Sequence, residues 1–135
     1  MDWTECKKKG FIRSTQKDEN LIDGLKKQSE KKHASYQMLE LNTTTASSKI
    51  SLLYDSMREL LEALAVTKGY KIYNHECYMS FLKEILKEHS LGEMFNELRK
   101  IRNNLNYYGE DVDLQEAKRI LHDLEEIREK VKKLV

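Results

Sequence analysis

One arginine, three asparagines and two tyrosines occur within the segment "IRNNLNYYGED", at positions 101–111. On a helix that turns about 100° per residue, Arg99, Arg102 and Asn106 fall on one flank of an apolar stripe. Side chains three and four residues apart lie beside one another on such a surface. Two guanidinium groups next to an amide can hold a phosphate, because their planar forks of N–H donors match its oxygens. The spacing therefore identifies a candidate phosphate-binding cluster.

The same residues also fit a purely structural role. Arginines beside an apolar stripe commonly lie along the surface and pair with acidic residues of a neighbouring helix. Asparagine tolerates the backbone angles found at helix C-termini, and Gly109 follows as a helix-ending residue. On a regular helix Asn103 and Tyr107 point away from the cluster, whereas a helix end near Gly109 would let Tyr107 and Tyr108 leave helical phase. Spacing alone leaves both interpretations open.

Hydrophobic periodicity predicts the elements that must position this cluster. The strongest stripes predict helices over 47–69 and over 113–135, the latter with Asp113 as N-cap. Three further helices are predicted over 18–41, 75–90 and 91–109. The stripe of the first is interrupted at Ser29 and at Lys32 or His33, so we expect looser packing there. No segment shows a strand pattern, and the chain has no proline. These features predict an all-α protein, an antiparallel up-down bundle of four core helices plus one additional helix.

Length and composition are typical of a single domain. We expect residues 18–135 to form the bundle and residues 1–17 to be a tail that docks on it through Trp3, Phe11 and Ile12. The net charge of +1 argues against broad coating of nucleic acid. Residues 1–33 nevertheless carry a surplus of three positive charges, which could serve RNA or an acidic partner or could simply be solvated.

The cysteines and histidines predict no further chemistry. Cys6 and Cys77 form no CxxC motif, so neither a disulfide framework nor a structural metal is expected, and a reducing cytoplasm fits best. The histidine positions predict no metal site, and no motif calls for a cofactor. No apolar run of about 18 residues exists, so neither a membrane span nor a signal peptide is expected. A cytoplasmic location follows from these expectations.

Longer stretches of the sequence resemble a known family. "LRKIRNNLNYYGEDVD", followed by a long amphipathic segment, is similar to the signature region of the HEPN superfamily, the higher eukaryotes and prokaryotes nucleotide-binding domains. The resemblance is to its small, stand-alone archaeal-type members. The upstream "YDSMRELLEALAVTKGYKIYNHECYMSFL" resembles the preceding helix pair of that group. The tail resembles it as well, at Trp3, Cys6, Lys9, Gly10, Ile12 and Arg13.

The resemblance implies a function and also exposes a departure. The hallmark of the family is an arginine, usually followed by a polar residue, with a histidine four to six residues beyond the arginine. Active members are metal-independent endoribonucleases that work as dimers, often as toxins beside a nucleotidyltransferase. The matching positions here are Arg102 and Asn103, but the histidine window holds Asn106, Tyr107 and Tyr108. Losing the imidazole, which titrates near neutral pH, should cost roughly 10²–10⁴-fold in cleavage rate.

We therefore expect a homodimeric protein of a prokaryotic cytoplasm that binds RNA phosphate or a nucleotide and is a weak or inactive ribonuclease. A minimal nucleotidyltransferase is the protein partner that the resemblance implies, within a toxin–antitoxin or RNA-processing system. The alternative is a non-catalytic scaffold or antitoxin-like interaction module. His75 could supply the absent imidazole if it reaches Arg102, or could be a helix-capping or surface residue. The candidate catalytic residues are Arg102, Asn103 and Tyr107, and the candidate phosphate-binding residues are Arg99, Arg102, Asn106 and Tyr108.

Overall fold

The computed structural model describes all residues, 1–135. Its elements in chain order are α1 (Trp3–Lys8), β1 (Ile12–Ser14), α2 (Glu19–Met38), α3 (Ala46–Thr67), β2 (Tyr70–Ile72), α4 (Cys77–Ser80), α5 (His89–Tyr107) and α6 (Leu114–Leu134). The predicted all-α class is confirmed, because the only sheet is a pair of three-residue strands. None of the helices is both long enough and apolar enough to cross a bilayer.

Helix α3 is the centre of the bundle. Leu53, Met57, Leu61 and Leu64 on this helix are fully buried. Helices α2, α5 and α6 all pack against α3, and strand β2 contacts it as well. The carboxylate of Asp113 accepts a hydrogen bond from a backbone N–H of the first turn of α6, at 2.8 Å, as the sequence predicted. The other helices of the bundle thus surround the helix that has the longest apolar stripe.

Helices α2 and α3 form an antiparallel hairpin. Along their contact, the residue numbers on α2 decrease as those on α3 increase, starting from the connection between the two helices. The ammonium group of Lys49 donates to the Tyr36 carbonyl at 3.0 Å near the connection. Further from it, the hydroxyl of Ser29 donates to the backbone carbonyl of Ser56 at 2.7 Å. At the far end, Ile22 packs in a small cluster with Ala63 and Val66.

The expected loose packing at the middle of α2 is wrong. Ser29 and Ser56 are both completely buried, and their small side chains allow the two helices to approach closely. Their hydroxyls lie 3.0 Å apart, and Ser56 also accepts a hydrogen bond from Nε of Arg128 at 2.8 Å. Arg128 is 1% exposed and reaches Glu30 at 2.9 Å. The interruption of the apolar stripe is therefore a polar network with satisfied hydrogen bonds, which single-helix periodicity cannot reveal.

The expectation of no strand is also wrong. Strands β1 and β2 pair antiparallel, with Ile12 opposite Ile72, and both isoleucines face the core. Three-residue strands are too short for an alternating pattern to be recognised in the sequence. Trp3 is 7% exposed and lies in the main core, where its ring meets that of Tyr70 edge-on at 5.0 Å. The first residues thus form a helix and a strand that pack on the bundle.

The structure contradicts the expectation that the cysteines remain unpaired. Cys6 on α1 and Cys77 at the start of α4 form a disulfide, with Cα atoms 6.1 Å apart. The pairing of β1 with β2 brings these residues together across 71 positions of sequence, so spacing gave no sign of it. Because disulfides are uncommon in reducing compartments, the cysteines no longer support a reducing cytoplasm.

The segment predicted as a helix over 75–90 is divided. Cys77–Ser80 is α-helical, the chain continues as a π-helical turn over Phe81–Ile85, and the last two residues of the segment already belong to α5. Lys87 then takes a positive φ of 60°, which ends the helical path before α5. Residues 73–76 consequently form a connection between β2 and α4 rather than a helix start. This connection carries His75 toward the junction of α3 and α5.

Candidate functional site

Helices α3 and α5 contact each other through matched polar pairs. Nη2 of Arg102 lies 3.1 Å from the carboxylate of Asp55, and the hydroxyl of Ser51 donates to the side-chain carbonyl of Asn106 at 2.9 Å. Within each helix the two members are four residues apart and share a face. The residue numbers on α5 decrease as those on α3 increase, as they do between α2 and α3, so α3 and α5 also run antiparallel. The pairing fixes Arg102 against α3.

The guanidinium group of Arg102 also contacts two aromatic rings. Its Cζ lies 5.2 Å from the ring centroid of Tyr54 and 5.9 Å from that of Tyr107. Nη1 donates a long hydrogen bond of 3.4 Å to the hydroxyl of Tyr107. Such stacking and fork geometry are specific to arginine, and a lysine would not reproduce them. The Arg102 cluster, by which we mean Tyr54, Asp55, His75, Arg102 and Tyr107, is built around this group.

Two polar atoms of the Arg102 cluster are buried without a partner. They are the hydroxyl oxygen of Tyr54 and Nε of Arg102. Burial raises the pKa of Tyr54 to about 12, against the opposing effect of the nearby Arg102 charge. The phenol therefore stays protonated at neutral pH and can donate a hydrogen bond. Buried polar groups without a protein partner are uncommon in folded proteins, and two of them lie in this cluster.

His75 enters the cluster from the β2–α4 connection. Its ring centroid lies 6.3 Å from that of Tyr54 and 6.2 Å from that of Tyr78. Burial lowers the pKa of His75 to about 4, with a further contribution from the positive charges of Arg58 and Arg102, while Asp55 opposes them. The imidazole is therefore neutral at pH 7, and it is a weaker base than an ordinary histidine. This half-buried ring is neither a helix cap nor a freely exposed side chain.

The remaining predicted residues of α5 are divided between the cluster edge and solvent. Arg99 donates two hydrogen bonds to Asn96, at 2.9 and 3.1 Å, and its charge contributes to the lowered pKa of His75. Asn103 is half-buried and makes no side-chain hydrogen bond. Tyr108 is 75% exposed and touches no predicted partner.

Helix α5 ends directly after Tyr107. The backbone N–H groups of Tyr108 and Glu110 both donate to the carbonyl of Asn104, at 3.2 Å each, and Gly109 has a φ of +65°. Tyr107 is the last helical residue, and its side chain is 70% exposed. Tyr107 nevertheless contacts Arg102, five positions earlier on the same helix.

Sequence reasoning missed three residues of this region, all on α3. Tyr54, Asp55 and Arg58 were not among the predicted site residues. A signal was available, because Ser51, Asp55 and Arg58 recur at helical spacing along one flank of that stripe. Their pairing with α5 could not be anticipated, since it depends on which helices are neighbours.

Helix α6 carries one group of potential metal ligands that the histidine positions did not predict. His122 and Glu126 are four residues apart on α6, and with Asp123 they bring three potential metal ligands within 4.8 Å of one another. The two carboxylates already pair with Arg119 and Lys130, at 3.4 and 3.3 Å, on the solvent side of the helix. This group is an ion-paired helix face, and no metal function is assigned to it.

The Arg102 cluster lies on an open surface. Five cavities occur in the structure, and Arg102 lines none of them. A cavity of about 370 Å³ lies elsewhere, between α2 and α6, and is lined by Tyr36, Lys49 and Glu125 among others. Small ligands prefer enclosed pockets. No cavity that could enclose a small ligand is therefore lined by Arg102.

The fold and the cluster define an all-helical domain with an arginine-centred polar site at a helix–helix junction. A family model described as the HEPN domain matches residues 24–134. The chain therefore belongs to the HEPN domain family, whose domains are associated with nucleotide-related or ribonuclease-like functions. Comparison with curated proteins and with solved structures gave no match.

Proposed function

We propose that this protein binds RNA at the Arg102 cluster and cleaves it slowly without a metal ion. The observation that carries the proposal is the convergence of a neutral imidazole and an incompletely paired guanidinium on Tyr54. Arg102 has five N–H donors, of which one meets Asp55 and one makes the long contact with Tyr107. Nε is buried, so the donors left for a phosphate are the second N–H groups of Nη1 and Nη2.

Asp55 sets the strength of this binding. Its carboxylate occupies one side of Arg102, so an incoming phosphate would have to share the guanidinium or displace the Tyr107 contact. The Arg102 and Asp55 side chains are 14% and 25% exposed, which leaves the pair accessible from solvent. Competition from a carboxylate is consistent with modest affinity, and the nearby charges of Arg58 and Arg99 offset part of it.

His75 is the proton acceptor in the proposed reaction. Its imidazole takes the proton of the ribose 2′-hydroxyl, whose oxygen attacks the adjacent phosphorus while the bond from phosphorus to the 5′-oxygen breaks. Arg102 stabilises the negative charge on the phosphoryl oxygens. The products are a 2′,3′-cyclic phosphate and a free 5′-hydroxyl. The leaving oxygen needs a proton, for which we propose Tyr107, because its hydroxyl contacts Arg102. The low pKa of His75 makes it a weak base and Tyr107 is a weak acid, so we expect slow cleavage.

The proposal extends to the assembly. We infer a homodimer, with a minimal nucleotidyltransferase as partner in a toxin–antitoxin or RNA-processing system of a prokaryotic cytoplasm. These elements are supported by membership of the family and by no contact within this chain. Size-exclusion chromatography with light scattering tests the dimer.

Cleavage of labelled total tRNA and of a structured RNA, with a chelator present, tests the activity. We expect slow cleavage by the wild-type protein, and its loss in Arg102→Ala and in His75→Gln. Arg119→Ala is the matched control, because it removes an exposed arginine that pairs with an acidic residue on α6. Cleavage that survives in both cluster variants would reject the proposal.

Binding and stability measurements separate RNA recognition from a scaffold role. If Arg102 holds phosphate, Arg102→Ala loses the gel shift and retains a melting temperature near that of the wild type, whereas Arg102→Lys restores charge and only part of the binding. If Arg102 is only a brace between α3 and α5, the melting temperature falls and the wild-type protein shifts no RNA. The second result would favour the scaffold interpretation.

A further inference from the structure

The β1–β2 pair presents a second cationic surface. Arg13 and Lys71 stand directly opposite each other in the register. Directly opposite residues of an antiparallel pair share one face, and the neighbouring pair, Ile12 and Ile72, faces the core, so Arg13 and Lys71 face outward. Tyr73 continues this outward face and is 57% exposed. We call Arg13, Lys71 and Tyr73 the basic ribbon.

The basic ribbon is unpaired within the chain. Neither Arg13 nor Lys71 takes part in any of the protein's ion pairs. Like charges directly opposite each other weaken a strand pair, which is unfavourable for a sheet of only two short strands. Within the ribbon, Cζ of Arg13 lies 5.9 Å from the ring centroid of Tyr73. An anion between the two cations would relieve their repulsion.

The ribbon adjoins the Arg102 cluster along the chain. Tyr73 and His75 are separated by a single residue, so their Cα atoms are within about 7 Å. The first strand of the ribbon lies before residue 24, outside the part of the chain matched by the HEPN model. Residues 1–17 hold five lysines and arginines against two acidic residues, so the positive charge extends beyond the ribbon.

We propose that the basic ribbon is a second binding site for single-stranded RNA, continuous with the Arg102 cluster. Arg13 and Lys71 contact the phosphates of nucleotides beyond the one held by Arg102, and the exposed ring of Tyr73 stacks on a base. This combination of cations and an exposed aromatic ring is the usual way in which proteins hold single strands without reading sequence. The inference rests on the proposed function, since one RNA strand occupies both the basic ribbon and the Arg102 cluster.

Fluorescence anisotropy with labelled oligouridylates tests the ribbon. The probes are 2′-O-methylated, so they cannot be cleaved, and are about 3 and about 10 nucleotides long. In Arg13→Ala/Lys71→Ala we expect the salt dependence of log K for the long probe to become shallower by about 1.4, from two lost phosphate contacts on a single strand. Tyr73→Ala should weaken long-probe binding about fivefold or more. Neither variant should change binding of the short probe.

Matched variants keep the interpretation specific. Lys27→Ala/Lys31→Ala removes two exposed, unpaired lysines from α2 and should leave the salt dependence nearly unchanged. Urea unfolding should show that the ribbon variants are folded, and Arg13→Ala/Lys71→Ala should be at least as stable as the wild type, because the inward isoleucines are untouched and two opposed like charges are removed.

Each outcome separates the ribbon from the Arg102 site. Equal long-probe binding by wild type and the ribbon variants, with loss in Arg102→Ala, would overturn the ribbon and retain the proposed function. Loss in the ribbon variants with no effect of Arg102→Ala would support RNA binding at the ribbon and reject the Arg102 site. Displacement of the long probe by polyglutamate as effectively as by unlabelled RNA would show a surface for acidic polypeptides and overturn the proposal.

Discussion

Acidification should destabilise this protein through His75. Burial, aided by Arg58, Arg99 and Arg102, lowers the pKa of His75 to about 4 in the folded state, from 6.5 in the unfolded chain. Above pH 6.5 the imidazole is neutral in both states and contributes nothing to the pH dependence. Between pH 6.5 and pH 4 only the unfolded chain takes up the proton, so the free energy of unfolding falls as the pH falls.

The size of this effect follows from the difference in pKa. The full difference corresponds to roughly 3 kcal/mol of stability, and screening by solvent at the half-exposed ring reduces this to about 1–2 kcal/mol. The charged groups around the ring oppose one another, because the three arginines lower its pKa and Asp55 raises it. Below about pH 4 the folded state is protonated as well, and the loss of stability from this residue ends.

Urea unfolding of wild type and His75→Gln between pH 7 and pH 4 measures the effect. Carboxylates titrate in the lower part of this range in both proteins, so the difference between the two curves isolates His75. His89→Gln controls for loss of a histidine at an exposed position. Titration of the His75 ring by NMR gives the pKa directly. A ring that titrates near 6.5, or a difference in stability that does not change with pH, would refute the reasoning.

Three other changes have defined consequences. Asp55→Asn should lower the pKa of His75 further, because Asp55 raises it, and should strengthen RNA binding by removing the competing carboxylate; unchanged values in NMR titration and anisotropy would contradict this. Reduction of the Cys6–Cys77 disulfide should lower the free energy of unfolding by about 4 kcal/mol, since it closes a loop of 71 residues, and equal urea midpoints with and without reductant would exclude it. Ser29→Val should cost about 1–3 kcal/mol by overpacking the α2–α3 contact, and a urea midpoint at or above that of the wild type would show that the contact is loose.

The helices of the bundle were predictable because each buries a stripe of its own. The stripes of α3 and α6 specify these helices within a few residues, and Asp113 marks the start of α6 in both sequence and structure. The polar contact between Ser29 and Ser56 was not predictable, because each serine alone only weakens the stripe of its helix. The contact becomes part of a hydrogen-bond network only where the two helices pack together and Arg128 donates to Ser56.

The disulfide and the strand of the N-terminal region were not predicted, for a related reason. A disulfide between Cys6 and Cys77 and a strand pair of three residues each depend on contacts across most of the chain. Neither has a local pattern in the sequence. Trp3 and Ile12 of this segment are buried, as is usual for apolar side chains of this size.

A sequence motif alone was not sufficient to identify the histidine of the Arg102 cluster. A search within four to six residues of Arg102 finds asparagine and tyrosines, because those positions share the end of one helix. The nearest imidazole comes instead from the connection after β2, held against Tyr54 by the path of the chain through the ribbon. A proton acceptor needs only to lie within reach of the ribose hydroxyl, and its position in the sequence is irrelevant to the chemistry. The ribbon that carries RNA in our inference is thus also the element that positions His75, so weakening the β1–β2 pair should impair both binding and cleavage.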